Sequence, residues 1–247
     1  IKLKSITTSK QKDFLNFLQS QKEVWWVVLV ENICDIAYAV FVRNNYDFYT
    51  HLEKLSKYNK VIKSKQIVFY SHINHFPRSY ILKENKFRDG ILVGASFKEE
   101  VDNLDISIMK ILSANARTPI IVISSKVGIK PQSVMYRLKK LEKKGIIKGY
   151  RTNINIDILG FKNYKIYLQL KNYSKNDEIA LFCKENPFVV TTNRTIGGAD
   201  FEIELQLENL DFMYKILDEI RDKFSEIIES CEYGIARKEL KFVYFPW

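Results

Sequence analysis

The sequence predicts an α+β fold in which two βαββαβ units, one at each end of the chain, flank a winged helix-turn-helix. Three observations lead there. The first and last segments are diverged copies of one another, offset by about 165 positions. The middle segment switches to a helical period of 3.6. The basic charge is densest in that middle segment: residues 1–100 carry a net +6, residues 101–160 a net +7 and residues 161–247 a net −3.

With 247 residues, 46% of them hydrophobic, the chain can give each of two or three compact units its own core. No apolar run approaches the roughly 20 residues of a membrane-spanning helix, and the chain opens on Ile1-Lys2-Leu3-Lys4, not on a basic stretch followed by an apolar one. A cytoplasmic protein without membrane contact is the expectation. Cys34, Cys183 and Cys231 lie far apart, and His51, His72 and His75 have no cysteine companions at zinc spacing, so reduced thiols, no metal and no cofactor are expected.

The N-terminal copy, residues 1–80, reads as a short opening strand at Ile1–Lys4, a helix at Lys10–Gln21, an apolar strand at Val24–Val30, a tight turn and a further strand. Phe14, Phe17, Asp35 and Val40 fall opposite Ile179, Phe182, Asp200 and Leu205, and after a one-residue slip Tyr46-Asp47-Phe48 falls opposite Leu210-Asp211-Phe212. A chain that starts inside a strand without an initiator Met suggests a further DNA-binding unit upstream of Ile1. Residues 81–101 read as an ordered linker with one extra strand near Ile91–Val93.

In the C-terminal copy, residues 161–247, strand Tyr164–Leu170 precedes a helix at Asn176–Glu185 and a strand at Phe188–Arg194. Strict alternation at Phe201–Leu207 puts Phe201, Ile203, Leu205 and Leu207 on one face, the mark of a half-buried antiparallel strand. The helix Asp211–Phe224 and the strand Cys231–Tyr244 complete a ferredoxin-like βαββαβ sandwich. The aromatic surplus of the first copy suits an interface and a core equally.

Residues 102–160 form the third unit. Leu104, Ile108, Ile111 and Leu112 give one apolar helical face. Thr118 is placed to cap a second helix, Pro119–Val127, which Gly128 ends. A third helix starts at Pro131 and runs to Lys144. Two helices joined by a short turn containing glycine are a helix-turn-helix, a motif that docks on double-stranded DNA. Val134, Leu138 and Leu141 form the buried stripe of the third helix, which sends Gln132, Ser133, Tyr136, Arg137, Lys140, Lys143 and Lys144 outward. Short polar and planar groups at the start read base edges, and the cations behind them neutralise phosphates. The alternative for the lysines is a plain solvated face, and for Arg137 a structural bridge to Asp105 or Glu142. Residues 146–156 read as two short strands, a wing from which Lys148 and Arg151 reach the flanking backbone.

Leu104-Asp105, Ile111-Leu112, Asn115-Ala116-Arg117, Val127-Gly128-Ile129, Arg137-Leu138, Leu141-Glu142, Gly145-Ile146-Ile147 and Leu159-Gly160 together resemble the Lrp/AsnC family of prokaryotic transcription regulators. The resemblance implies an archaeal-type regulator with duplicated ligand-sensing (RAM) domains. It also implies a weakened cap at Lys130, where the family often has Ser, with the lysine side chain supplying the phosphate contact instead. The turn Ile196-Gly197-Gly198-Ala199-Asp200 resembles the family's effector turn, which makes Gly197, Gly198 and Asp200 candidates for binding a small effector such as an amino acid; a tight hairpin is the alternative. In the first copy Asn32-Ile33-Cys34-Asp35 puts a branched side chain where Gly198 leaves space, so that copy is expected to serve in pairing. Either homo-oligomers or intramolecular pairing of the two sensor copies is implied. The function read from these features is transcription regulation, not enzymatic. The competing readings are a siroheme-type tetrapyrrole decarboxylase built on His72, His75 and Arg78, and an architectural DNA-binding protein without sequence preference.

Overall fold

The computed structural model describes residues 1–82, 89–94 and 99–245. The N-terminal unit runs β1 (Lys2–Leu3), α1 (Thr8–Ser20), β2 (Val24–Glu31), β3 (Ile36–Val40), α2 (Asn45–Leu55), β4 (Ile62–Ser64) and β5 (Phe69–His75). Then come a one-turn helix α3 (Ser79–Leu82), β6 (Ile91–Gly94), and the helices α4 (Asn103–Ala114), α5 (Ile120–Val127) and α6 (Pro131–Lys143). The C-terminal unit is β7 (Lys162–Leu170), α7 (Asn176–Glu185), β8 (Val189–Ile196), β9 (Phe201–Leu207), α8 (Leu210–Phe224) and β10 (Ile228–Phe242). The strand expected near Ile91 is β6, while the expected linker at residues 83–88 and 95–98 lies outside the described residues.

The duplication is written in the hydrogen bonds. Asp35 accepts from Leu3 N at 2.6 Å, and Asp200 accepts from Leu170 N at 2.8 Å. In return, Asp35 N donates to Ile1 O and Asp200 N donates to Leu168 O. Asn44 caps α2 by accepting from Asp47 N, and Asn209 caps α8 by accepting from Phe212 N. The two caps align at the same offset as the two aspartates, so the one-residue slip expected at this helix is absent. Helix start is set by the capping asparagine, not by the aspartate that follows it.

Within the C-terminal unit the strands lie in the order β10-β7-β9-β8, with α7 and α8 packed on one face. Ile166, Leu168, Ile203 and Leu205 on the sheet meet Ile179, Leu217 and Ile220 on the helices, all of them essentially inaccessible. Phe14, Leu18, Val27, Ile36 and Leu55 form the smaller core of the N-terminal unit.

The last strand of each unit does two jobs. The first half of β10 pairs with β7, and its second half crosses to β2 of the other unit, from Ile235 opposite Glu31 to Phe242 opposite Trp26. Reciprocally, β4 pairs with β1, and β5 crosses to β8, from Phe69 opposite Ile196 to His75 opposite Thr191. One irregularity corresponds, a bulge between Ala236 and Lys238 on one side and between Tyr70 and His72 on the other, while a second between Glu239 and Lys241 has no counterpart. The two units are thus related as the halves of an isologous pair, within one curled eight-stranded sheet. The junction is reinforced by Trp26 Nε1 donating to Glu239 (3.0 Å), Asn32 Nδ2 donating to Tyr233 O (2.7 Å), and Lys241 Nζ donating to the carbonyls of Gln19 and Gln21 at the end of α1. Trp25 lies against Phe41 and, across the junction, Phe242, and Phe48 meets Phe69, while Tyr46 and Tyr49 stay exposed, so only part of the aromatic surplus serves the junction.

The expectation of a half-buried β9 is corrected. Its second face is covered as well, leaving Glu202 only 3% and Gln206 4% exposed. The cover is the stretch after β4: Gln206 Oε1 accepts from Arg78 Nε and from Tyr80 OH. Lys165 Nζ sits 2.7 Å from Glu202 and 3.2 Å from Glu204, and donates to Tyr70 OH, while Asn193 Nδ2 donates to Glu202. Burial opposes the Lys165 charge, but the field of Glu202 and its neighbours raises its pKa well above the usual lysine value. Among the described residues no helix is long and apolar enough to cross a membrane.

Removing one partner of a buried ion cluster leaves an uncompensated charge, so Lys165→Met should cost about 3–5 kcal/mol in urea unfolding. Adding Glu202→Gln and Glu204→Gln to that variant should recover most of the loss. A Lys165→Met protein as stable as wild type would show that the cluster is solvated.

Candidate nucleic-acid interface and effector turn

A reciprocal capping box starts α4: Asp102 accepts from Asp105 N at 2.8 Å and Asp105 accepts from Asp102 N at 3.4 Å. The second helix begins one residue later than expected, with Pro119 in the cap position. Thr118, expected as its cap, turns back: both its N–H and its hydroxyl donate to Asn115 O. Gly128 ends α5 at φ 73°, in the left-handed region that favours glycine. Lys130 then holds the N-cap of α6 with no side-chain capping bond, as a lysine in place of serine implies, and Pro131 takes the first position.

The amphipathic pattern of α6 orients it. Val134, Leu138 and Leu141 are 0%, 9% and 2% exposed, with Val134 and Leu138 packed in a cluster that includes Ile108 and Ile123. The opposite face leaves Gln132, Ser133, Tyr136, Lys139, Lys140 and Lys143 exposed, and Lys130 and Lys148 are exposed beside it.

Four of the expected DNA-facing cations, Arg137, Lys144, Lys148 and Arg151, have intramolecular partners. Arg137 Nη1 donates to Asp102 and to Asp105, each at 2.7 Å, so it bridges to the capping box and not to Glu142. Those two carboxylates raise the Arg137 pKa. Lys144 Nζ donates to Glu99 at 2.6 Å. Arg151 Nη1 donates to His75 Nδ1 at 2.8 Å, which joins the DNA-binding segment to β5. Asp102, Glu99 and His75 escaped sequence reasoning about this site, although the Asp-x-x-Asp spacing of the capping box was a visible signal for the first.

The expected wing strands do not form: residues 146–156 contain no strand. A two-stranded ribbon is marginal alone, and here its side chains are drawn elsewhere. Tyr150 OH donates to Glu142, Arg151 goes to His75, and Gly149 lies against Ile91 of β6.

At the candidate effector turn, Gly197 has φ +90°, and a Cβ there would stand 2.7 Å from Ile67 O; at Gly198 it would stand 2.6 Å from Val68 Cγ2. The glycines therefore admit the connection between β4 and β5, which crosses directly over the turn. Gln66 Nε2 donates to Gly197 O, while Asp200 accepts from Leu170 N and from Tyr173 OH.

Burial, and after it the field of Arg151, pushes His75 down from 6.5 to about 4. Its folded-state pKa lies below the unfolded one, so the neutral ring contributes stability that is complete above pH 6.5 and lost as pH falls towards 4. His75→Gln should flatten the decline between pH 7 and pH 5 in urea unfolding; equal slopes for the two proteins would refute the linkage.

A family model for winged helix-turn-helix DNA-binding matches residues 101–148. The HTH-type transcriptional regulator Ptr1 of Methanocaldococcus jannaschii is 33% identical over 119 residues, spanning 48% of this chain and 80% of that protein. LrpA of Pyrococcus horikoshii is 42% identical over 89 residues, spanning 36% of this chain and 63% of that protein. A transcriptional regulator from Neisseria meningitidis, solved as a complex with L-Met, shares the fold at TM-score 0.53 and 21% identity, covering 59% of this chain and 96% of that one. With the three-helix unit, the βαββαβ unit and these relatives together, the chain belongs to the Lrp/AsnC family of transcriptional regulators.

Proposed function

We propose that this regulator binds a specific duplex through the exposed face of α6, with Gln132, Ser133 and Tyr136 at base edges and Lys130, Lys140 and Lys143 on phosphates. The observation that carries the reading is the burial of Val134, Leu138 and Leu141, which leaves the polar and basic face outward. Lys144 and Arg151, engaged by Glu99 and His75, are secondary contacts in this reading.

The two sensor copies pair in cis through the crossed strands, taking the place of a second chain. A small effector such as an amino acid modulates DNA affinity at the Gly197–Asp200 turn, a reading supported by the relative complexed with L-Met. Because residues 66–68 cross that turn, occupancy there is coupled to the connection that hands β5 to β8. A regulator is favoured over an enzyme by the state of the histidine cluster. His72 and His75 are an odd number of residues apart on β5 and face opposite ways, Arg78 is bound to Gln206, and His75 holds Arg151.

Each phosphate neutralised by a cation releases counterions. Lys140→Gln and Lys143→Gln should each therefore reduce the salt-dependence slope of duplex binding by about 0.9, and Lys144→Gln by less. Fluorescence anisotropy across a salt series measures this. Slopes unchanged in the Lys140 and Lys143 variants would remove α6 from the interface.

A further inference from the structure

The bridge between Arg137 and the capping box uses a single nitrogen. Nη1 donates one hydrogen to Asp102 and the other to Asp105, and among the described residues neither Nε nor Nη2 makes a hydrogen bond. The carboxylates are themselves fixed, since the second oxygen of each accepts a backbone N–H of the capping box. A guanidinium anchored in this way keeps its Nε/Nη2 edge, with two parallel donors, and loses the freedom to swing. Arg137 also lines an open cleft of about 440 Å³ together with Asp102, Gln132, Ser133, Tyr136 and Lys140, which are the residues of the proposed reading face and the N-cap of α4.

We infer that Arg137 is a preset guanine reader, with Asp102 and Asp105 as its positioning residues. The inference rests on the docking of α6 proposed above. In the major groove guanine offers two adjacent acceptors, N7 and O6, and arginine meets both through a pair of parallel donors. No other base pairs two acceptors on one edge in this way. The ordering of the side chain is completed during folding, so that part of its rotamer entropy is not lost on binding. Lysine cannot replace it, because an ammonium has no fixed fork.

The test is selection of binding sites from a randomised duplex pool by the full chain, followed by anisotropy on the selected duplex and its single-base variants. Wild type should enrich a guanine at one fixed position. Arg137→Lys should lose discrimination at that position by roughly fivefold or more, with the other positions unchanged. Asp102→Asn keeps an acceptor for the helix cap but removes the charge that aims the guanidinium. It should weaken the same preference while leaving the salt slope as in wild type. Circular dichroism establishes that each variant is folded, and Asp105→Asn provides an independent second disruption should Asp102→Asn unfold.

Selection of a defined site whose guanine preference survives Arg137→Lys would overturn the inference and leave the proposed function standing. So would an Asp102→Asn protein that binds every duplex more tightly by one common factor, since Asp102 would then act only by repelling phosphates. Failure of wild type to select any site, with binding indifferent to Lys140 and Lys143, would remove both the inference and the docking beneath it.

Discussion

Backbone N–H and C=O groups at a sheet edge must find partners, and the way this chain satisfies two such edges shapes everything around them. The second strand of each unit would be an open edge next to its own hairpin partner. Each unit closes the other's edge with the far end of its last strand: β10 supplies β2, and β5 supplies β8. In the N-terminal unit the final strand is divided, β4 staying with β1 while β5 crosses, whereas β10 makes both pairings as one continuous strand. The crossing explains why Glu202 and Gln206 are buried although the sequence around them alternates. The crossing segment lies over that face, and Lys165 and Arg78 compensate the polar groups caught beneath it.

The DNA-binding unit obeys a second constraint, the fixed orientation of a short amphipathic helix. Its hydrophobic cluster is small, and the helix it must hold has no side-chain cap at its start. The Asp102–Asp105–Arg137 arrangement supplies what the missing cap does not, by tying the middle of α6 to the beginning of α4. At the other end, Lys144 with Glu99 and Arg151 with His75 attach the unit to the chain segment before it and to the sheet.

Much of this was legible in the sequence, for identifiable reasons. Local periodicity marked α7 and β9 to the residue and placed α6 within one. The Asp35 and Asp200 correspondence revealed the duplication because each aspartate bonds within its own unit. What stayed hidden depends on groups distant in the chain. Alternation at Phe201–Leu207 identifies the helix-facing side, but nothing local reports what covers the other side. The wing residues have strand-like composition, yet the segment forms no strand and the side chains of Tyr150 and Arg151 bond to Glu142 and His75. Basic residues announce a surface for anions, but whether a given cation is already engaged is decided by acids such as Asp102 and Glu99, one outside the motif and one at its margin.

Covalent linkage of the two crossed halves changes what the junction is obliged to be. A symmetric pair built from identical chains must be self-complementary and falls apart on dilution, so every substitution is felt twice. Here Glu31 lies opposite Ile235 while its counterpart Ile196 lies opposite Phe69, so each side of the pseudo-dyad has drifted independently. One half is free to diverge while the other keeps a glycine-lined bend at Gly197 and Gly198.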